Sequence, residues 1–311
     1  LISQIYHIQG SVSEFLRTWL FLGVGLIYIF NSGASSILYL LLTTYYAVDS
    51  GYFHENNSWY YWLFIGLWVP YYLHLFRNRF NDNITSVLNW LLPISLTISL
   101  AITGDKREDM ILWSYLLLFG VFYLFASHKK FKKLINNGWK VIGATGTIAL
   151  LMATSFEWYW EEIARESSRT GSIFEHGELF AVTILLVLAI ALLLRSTKTF
   201  EQIYKDPIRV MFAVFSLLFF FGTISETVLP LILVNVVILA VALIYILLGI
   251  RQNNLGVMNF GLLIFAVLVA CRYFDLNLSF TQRGLLFVVV GCGFFISNIW
   301  VLRRRKELEN E

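Results

Sequence analysis

Residues 228–249 read VLPLILVNVVILAVALIYILLG and contain no charged side chain. A transmembrane α-helix needs about 20 predominantly apolar residues to cross a hydrocarbon core about 30 Å thick. This run meets that requirement without help from its neighbours. The stretch therefore predicts a membrane-spanning helix, and it sets the pattern against which the rest of the chain can be compared.

The same pattern recurs along the whole chain, as apolar runs separated by short polar turns. The predicted spans are 15–30, 35–48, 59–76, 85–102, 110–126, 139–156, 177–194, 207–224, 228–249, 255–271 and 283–302. The run 35–48 is short for a bilayer core, so a tilted or re-entrant helix is the alternative there. We expect an all-α, polytopic transmembrane helix bundle of about eleven spans over residues 1–302. A basic cytoplasmic tail over residues 303–311 is expected to follow it.

The overall composition excludes an ordinary soluble domain. The 311 residues are 58% hydrophobic and only 14% charged, whereas a soluble domain carries about 25% charged residues. Cys271 and Cys292 both fall in apolar runs, without a CxxC partner or a His-rich neighbourhood, and are expected to be small buried residues. No basic tract interleaved with aromatic residues is present, so nucleic acid is not an expected partner.

The stretch SHKKFKKLINNGWK at 127–140 predicts which side of the membrane each loop faces. Loops rich in Lys and Arg stay on the cytoplasmic side. Counting spans outward from this loop places the other cationic loops on the same side, at Arg77 and Arg79, Arg195 to Lys205, Arg251, and Arg303 to Lys306. The outer loops are acidic or mixed, at Asp49 and Glu55, 105–109, 157–178 and Glu226. The C-terminus is therefore expected in the cytoplasm.

Tryptophan positions predict an interfacial belt at the ends of these spans. The outer members are Trp59, Trp62, Trp113, Trp158 and Trp160, and the inner members are Trp139 and Trp300. Tryptophan is enriched at both membrane–water interfaces. The longest polar stretch, 157–178, has charges at helical spacing, so we expect its first half to form a short helix on the outer membrane surface.

Few charged side chains lie inside the spans, and none of them is a carboxylate near the midplane, which argues against an ion-coupled pump. The polar side chains gather instead at the predicted outer ends. The candidate substrate-binding residues are Gln4, Tyr6, His7, Arg17, Arg272, Tyr273 and Asp275. The alternative is that Arg17 and Arg272 pair with loop carboxylates such as Glu157, Glu161 and Glu175 and only lock the helix ends.

Motifs for metals and cofactors are weak. EHGE at 175–178 offers a His and carboxylates but lacks the HExxH spacing and a second His, so no metal site is predicted. Neither a phosphate-binding glycine loop after a strand nor a GxSxG motif occurs, and no cofactor is expected. GATG at 143–146 lies within an apolar run and predicts a close helix contact.

Two stretches carry a resemblance to a known family. Gln4, Ile5, Tyr6 and His7 stand near the start of the chain, and Arg272 to Asp275 precede a glycine-containing apolar run and a basic tail. The chain resembles the bacterial membrane proteins catalogued as domain of unknown function 2157. That resemblance implies a multi-pass protein of the inner membrane, with a short cytoplasmic part and a few more helices before Leu1. It implies no activity.

Three functional hypotheses remain open on the sequence. The first is transport or handling of a lipid-like or small amphipathic substrate from the outer face, with membrane lipids as partners. The second is an integral-membrane transferase or hydrolase in which His7 or a loop carboxylate is the general base. The third is a non-catalytic scaffold or sensor. The sequence leaves the oligomeric state and any enzymatic activity undecided.

Overall fold

The computed structural model describes residues 12–53, 59–102, 108–127, 131, 137–170, 178–197, 199–224 and 228–275, with scattered residues from 281 to 299. Its regular structure is helical, and no strand occurs over these ranges. This confirms the all-α prediction. The chain forms two compact units, which comprise residues 1–143 with 176–188 and residues 144–175 with 189–311.

Over the residues that the structure describes, the first unit contains five complete helices and parts of two others. The complete helices are α1 (Val12–Phe30), α2 (Gly33–Val48), α3 (Tyr60–Asn78), α4 (Asn83–Leu100) and α5 (Glu108–Phe125). The start of α6 (Gly138–Ala153) and residues 178–188, the first part of a helix over Glu178–Ser196, also belong to this unit. A five-residue π-helix, Asp49–Phe53, continues α2 directly. The helical run that begins at Gly33 therefore extends beyond the predicted segment 35–48.

Hydrogen bonds between neutral side chains join the helices of the first unit. Trp68 on α3 donates its indole N–H to Ser36 Oγ on α2, at 2.8 Å. Tyr72, one turn further along α3, donates to Asn89 Oδ1 on α4 at 2.7 Å. Lipid tails are as apolar as the side chains of a membrane helix, so burial of apolar surface does not drive such helices together. Hydrogen bonds between helices and close packing hold the bundle together instead.

Over the described residues, the second unit holds the remaining helical segments. They are residues 144–153 of α6, α7 (Glu157–Thr170), residues 189–196 of α8 (Glu178–Ser196), α9 (Phe200–Lys205), α10 (Ile208–Ile224), α11 (Val228–Arg251) and α12 (Leu255–Asp275). α11 and α12 form a tight hairpin. Asn253, at φ 50°, turns the chain, and Asn254 Oδ1 accepts the backbone N–H of Gly256 at 3.0 Å, which caps the start of α12.

Glycine permits close approach of backbones in both units. A Cβ on Gly143 of α6 would lie 2.7 Å from the backbone nitrogen of Tyr123 on α5, and a Cβ on Gly261 of α12 would lie 2.7 Å from that of Ile246 on α11. Both distances are too short for any side chain. The close contact predicted for GATG is therefore confirmed at Gly143.

The prediction of about eleven spans is wrong for the part of the chain that the structure describes. Five helices there are long and apolar enough to cross a membrane, and a sixth is added if α6 and the first half of α7 are one bent span. The five are Val12–Phe30, Asn83–Leu100, Leu179–Ser196, Leu229–Arg251 and Leu255–Tyr273. By length and composition, these helices indicate a membrane protein.

The other predicted spans fail on length or on polarity. α2 has 16 residues, and the apolar parts of α5 and α10 are also short, at Met110–Phe125 and Ile208–Gly222. α3 has 19 residues, but its tyrosines, tryptophans, His74 and Arg77 lower its hydropathy. The last predicted span, 283–302, is described only in part.

The tryptophans of the predicted belt differ in their exposure. Trp59, Trp62 and Trp158 are exposed. Trp113, Trp160 and Trp139 are buried against other helices, because a tryptophan near a helix end can pack on a neighbouring helix as well as on lipid. Trp300 lies outside the described residues.

Candidate functional site

A sharp bend between α6 and α7 is the best-defined polar feature of the second unit. The axes of the two helices differ by 83°. Ser155 donates its hydroxyl to the carbonyl of Met152 at 2.6 Å, and Thr154 donates to that of Leu151 at 3.0 Å. Both hydroxyls thus bond backbone carbonyls in the last turn of α6.

Two side chains from outside the bend satisfy the backbone carbonyls of the bend itself. Trp160 donates its indole N–H to the carbonyl of Thr154 at 2.8 Å, and its buried ring packs on Gly222 of α10. Asn235 of α11 donates to the carbonyl of Ser155 at 3.1 Å. Contacts from α7, α10 and α11 therefore fix the geometry of the bend.

Arg272, a residue predicted to bind substrate, lies at this bend. It stands in the last turn of α12, where a cation also interacts favourably with the helix dipole. Its Nη2 donates to Ser155 Oγ at 3.1 Å, and its guanidinium lies 4.9 Å from the centre of the Phe156 ring. The hydroxyl and the aromatic face orient the planar guanidinium at the half-buried edge of the bend.

α7 leaves the bend as an amphipathic helix. Its apolar side, with Trp160 and Ile163, is buried, while Trp158 is 61% exposed. On its polar side Arg165 binds Glu161 at 3.2 Å and Glu162 at 3.3 Å. The helix predicted for the first half of 157–178 is confirmed, since residues 157–170 are helical. Of the EHGE motif, only Glu178 lies among the described residues.

The first unit contains a different polar contact, which joins α1 to the π-helix. Ser13 donates its hydroxyl to Asp49 Oδ2 at 2.8 Å, and Asp49 is only 7% exposed. The sequence predicts Asp49 in an outer loop, and the loop is wrong, because the structure has Asp49 buried in a helical turn. The letters DSG are typical of a turn, but the helix continues as a π-helix and turns the carboxylate towards α1.

Arg17 lies one turn after Ser13 on α1. Its guanidinium is 5.4 Å from the centre of the Tyr60 ring on α3, and Tyr60 stacks on Trp59 at 4.4 Å. Trp59 is exposed. Arg17 is therefore held by an aromatic face at the start of α3, in the same half of α1 as the buried Asp49 contact.

No protein-family model, curated protein or solved structure matches this chain.

The predicted substrate-binding residues fall into three groups. Arg17 belongs to the first unit, with Tyr60, whereas Arg272 and Tyr273 belong to the second unit. The backbone of Asp275 ends α12. The residues Gln4, Tyr6 and His7 lie outside the described residues, and so does any pairing of His7 with a carboxylate.

The chemistry available at the bend follows from the guanidinium. Arginine presents five N–H donors in a planar fork that matches the oxygens of a phosphate or a carboxylate. The ring of Phe156 lies beside the cation, and Trp158, two residues further along the chain, is exposed. This combination suits a molecule with an acidic head and an apolar tail. Neither Ser155 nor Phe156 was identified from the sequence, because no local pattern marks a residue 117 positions away as a partner of Arg272.

Proposed function

We propose that this chain is part of a multi-pass protein of the bacterial inner membrane that transports or handles a lipid-like or small amphipathic substrate from the outer face. Its C-terminus lies in the cytoplasm in this proposal, on the same side as the lysines at 129–133. The likeness to the domain of unknown function 2157 family belongs to the same proposal and supplies the bacterial origin.

One observation carries the proposal. The Arg272 guanidinium is oriented by Ser155 and Phe156 at a fixed bend from which the amphipathic helix α7 departs. A helix that leaves a membrane-spanning segment at a steep angle, with one apolar side, is suited to lie in the plane of the interface. Arg272 would then stand at head-group level, where the acidic part of an amphiphile resides.

The same contact also fits a second candidate, a scaffold or sensor. If Arg272 only braces the bend, its hydrogen bond to Ser155 serves stability and no ligand is involved. The two candidates differ in what an amphiphile does. If the bend is a binding site, the amphiphile should stabilise the protein, because a ligand that binds only the folded state raises the free energy of unfolding.

The test is equilibrium binding of dodecyl phosphate to the full chain, purified in a neutral detergent. Arg272→Gln removes the charge at similar volume, and Arg272→Lys keeps the charge without the planar fork. We expect Arg272→Gln to weaken binding by on the order of tenfold or more, since a hydrogen bond to a charged group contributes about 1.5–3 kcal/mol. Arg272→Lys should fall between wild type and Arg272→Gln.

The matched control is Arg251→Gln, which removes a cation from the last turn of α11 instead of α12. It should leave the affinity unchanged. The unfolding temperature of Arg272→Gln without ligand separates the two candidates. If it equals that of wild type while the affinity for dodecyl phosphate falls, Arg272 binds the ligand and does not only brace the bend. Equal affinity of wild type and Arg272→Gln would contradict substrate binding at the bend and leave the scaffold as the better account.

A further inference from the structure

Asn235 is a polar side chain within the apolar run of α11, and it lies at the bend together with Arg272. Its Nδ2 donates to the backbone carbonyl of Ser155 at 3.1 Å, and Arg272 Nη2 donates to the hydroxyl of the same serine at 3.1 Å. Polar side chains inside membrane helices are costly, and they often mark functional sites. Asn235 therefore belongs to the site at the bend, although its own apolar run gives no sign of it.

The packing of the hairpin between α11 and α12 explains why Asn235 and Arg272 meet. A Cβ on Gly261 of α12 would lie 2.7 Å from the backbone nitrogen of Ile246 on α11, so these two residues face each other. The helices are antiparallel, and a step along one is matched by a step back along the other. About three turns further from the hairpin turn on each helix, the same register places Asn235 opposite Arg272.

The protein uses both hydrogens of the Asn235 amide. Besides the bond to Ser155, Nδ2 donates to the carbonyl of Leu231, one turn earlier in α11, at 2.8 Å. Both partners are carbonyl oxygens, which only accept, so these two bonds identify the amide nitrogen and thereby the amide oxygen. Oδ1 accepts no hydrogen bond from a residue that the structure describes, and the side chain is partly exposed. Oδ1 is therefore available to a ligand as an acceptor.

Arg272 and Asn235 offer a head group opposite kinds of hydrogen bond. The guanidinium only donates, which suits the oxygens of a phosphate. Oδ1 of Asn235 only accepts, which suits an O–H or N–H of the same head group. A deprotonated alkyl phosphate has no such hydrogen and would use Arg272 alone. A head group with a donor beside its phosphate would use both side chains.

Charge favours a hydroxyl over an ammonium as that donor. The Asn235 amide and the Arg272 guanidinium both lie within 3.1 Å of an atom of Ser155. An ammonium bound to Oδ1 would therefore stand close to the guanidinium, and like charges repel strongly where water is scarce. A neutral hydroxyl avoids this repulsion.

We propose that Asn235 is a specificity-determining residue of the Arg272 site, and that the head group bound there carries a hydroxyl close to its phosphate, as a phosphoglycerol head group does. This inference rests on the proposed function, because it takes Arg272 as the residue that binds the phosphate. It adds the class of head group and the residue that selects it.

The test compares two amphiphiles in equilibrium binding to the full chain, purified in a neutral detergent. Dodecyl phosphoglycerol and dodecyl propyl phosphate are phosphodiesters with the same chain and the same single negative charge, and only the first has hydroxyls. Wild type should bind dodecyl phosphoglycerol roughly three- to tenfold more tightly, which corresponds to one hydrogen bond between neutral groups. Dodecyl phosphoethanolamine, which offers an ammonium instead, should bind more weakly than dodecyl phosphoglycerol.

Asn235→Leu removes the amide at similar volume and should bind the two esters about equally. The matched control is Trp160→Phe, which also removes a hydrogen bond to a carbonyl of the bend, that of Thr154, but leaves Asn235 in place. It should keep the preference for dodecyl phosphoglycerol even if it weakens both esters. Arg272→Gln should weaken both.

Each outcome bears on a different part of the inference. Equal affinities of wild type for the two esters would overturn the hydroxyl proposal, and this comparison needs no variant to fold. An undiminished preference in Asn235→Leu, or a preference lost equally in Trp160→Phe, would show that Asn235 only braces the bend. Tighter binding of dodecyl phosphoethanolamine than of dodecyl phosphoglycerol would overturn the choice of a hydroxyl. No binding of any of these esters to wild type would contradict the proposed function itself, and this inference with it.

Discussion

The Arg272 guanidinium and the Ser155 hydroxyl, 117 residues apart in the sequence, form a 3.1 Å hydrogen bond at the bend between α6 and α7. Ser155 also donates to the carbonyl of Met152. The hydroxyl thus accepts an N–H of α12 with its oxygen and donates its single hydrogen to α6, so both bonds form at once.

Replacement of Ser155 by Ala should therefore destabilise the bend from both sides. Hydrogen bonds to charged groups contribute about 1.5–3 kcal/mol, and neutral ones about 1 kcal/mol. We expect a loss of roughly 2 kcal/mol in the free energy of unfolding, measured by chemical denaturation in mixed micelles. Ser196→Ala is the matched control, since its hydroxyl bonds only nearby groups at 3.4 Å and 3.5 Å. Equal losses in the two variants would contradict a special role for Ser155.

The buried pair of Asp49 and Ser13 gives a second prediction. Ser13→Ala leaves the Asp49 carboxylate buried without that donor, and a buried charge that loses a hydrogen bond is costly. We expect a loss of about 1.5–3 kcal/mol in Ser13→Ala and a smaller additional loss when Asp49→Asn is added. The coupling free energy from a double-mutant cycle measures the pair. Strict additivity of the two substitutions would show that the hydroxyl and the carboxylate do not interact.

The carboxylate of Asp206, just before the start of α10, gives a third prediction. Asp206 accepts a hydrogen bond from the buried Tyr245 hydroxyl of α11 at 2.8 Å and another from Arg209 Nε at 3.0 Å. Tyr245→Phe removes the hydroxyl and keeps the ring. We expect it to lower the free energy of unfolding by about 1.5 kcal/mol. Tyr204→Phe, at an exposed tyrosine nearby in the sequence, should change it by a few tenths at most.

The short helix α9 gives a prediction for pH. The Lys205 ammonium, 2.7 Å from the Glu201 carboxylate, holds the pKa of Glu201 below its ordinary value, mainly through their hydrogen bond. A lowered pKa in the folded state means that the pair adds stability above the ordinary pKa of a glutamate and loses it as the pH falls through the lowered value. The carboxyl resonance of Glu201 should titrate at lower pH in wild type than in Lys205→Gln. Identical titration curves would show that the pair does not form in solution.

Sequence reasoning predicted the fold class and individual elements better than it predicted contacts. The all-α class, the helix over 157–170 and the close approach at Gly143 all follow from local composition and spacing. The number of spans does not, because runs such as 110–126 are apolar throughout yet form helices too short to cross a bilayer unaided. Hydropathy alone cannot tell such a helix from a complete span.

The site shows the same limit. Arg272 could be singled out because a cation near an apolar run is costly and so conspicuous. Its partners Ser155 and Phe156 are ordinary residues in an apolar stretch, and only the tertiary structure brings them to it. The burial of Asp49 depends on a single π-helical turn, and neither a periodicity nor a motif in the sequence indicates one.

The proposal that the bend holds an amphiphile at Arg272 is tested most directly by a photo-crosslinker at Trp158, an exposed aromatic residue in the first turn of α7. Benzoylphenylalanine at this position would be irradiated in the full chain with dodecyl phosphate, and the adduct measured by mass spectrometry. We predict an adduct that saturates with dodecyl phosphate, falls at least tenfold in Arg272→Gln, and is unchanged in Arg251→Gln. An adduct of equal yield in Arg272→Gln and wild type would contradict the account.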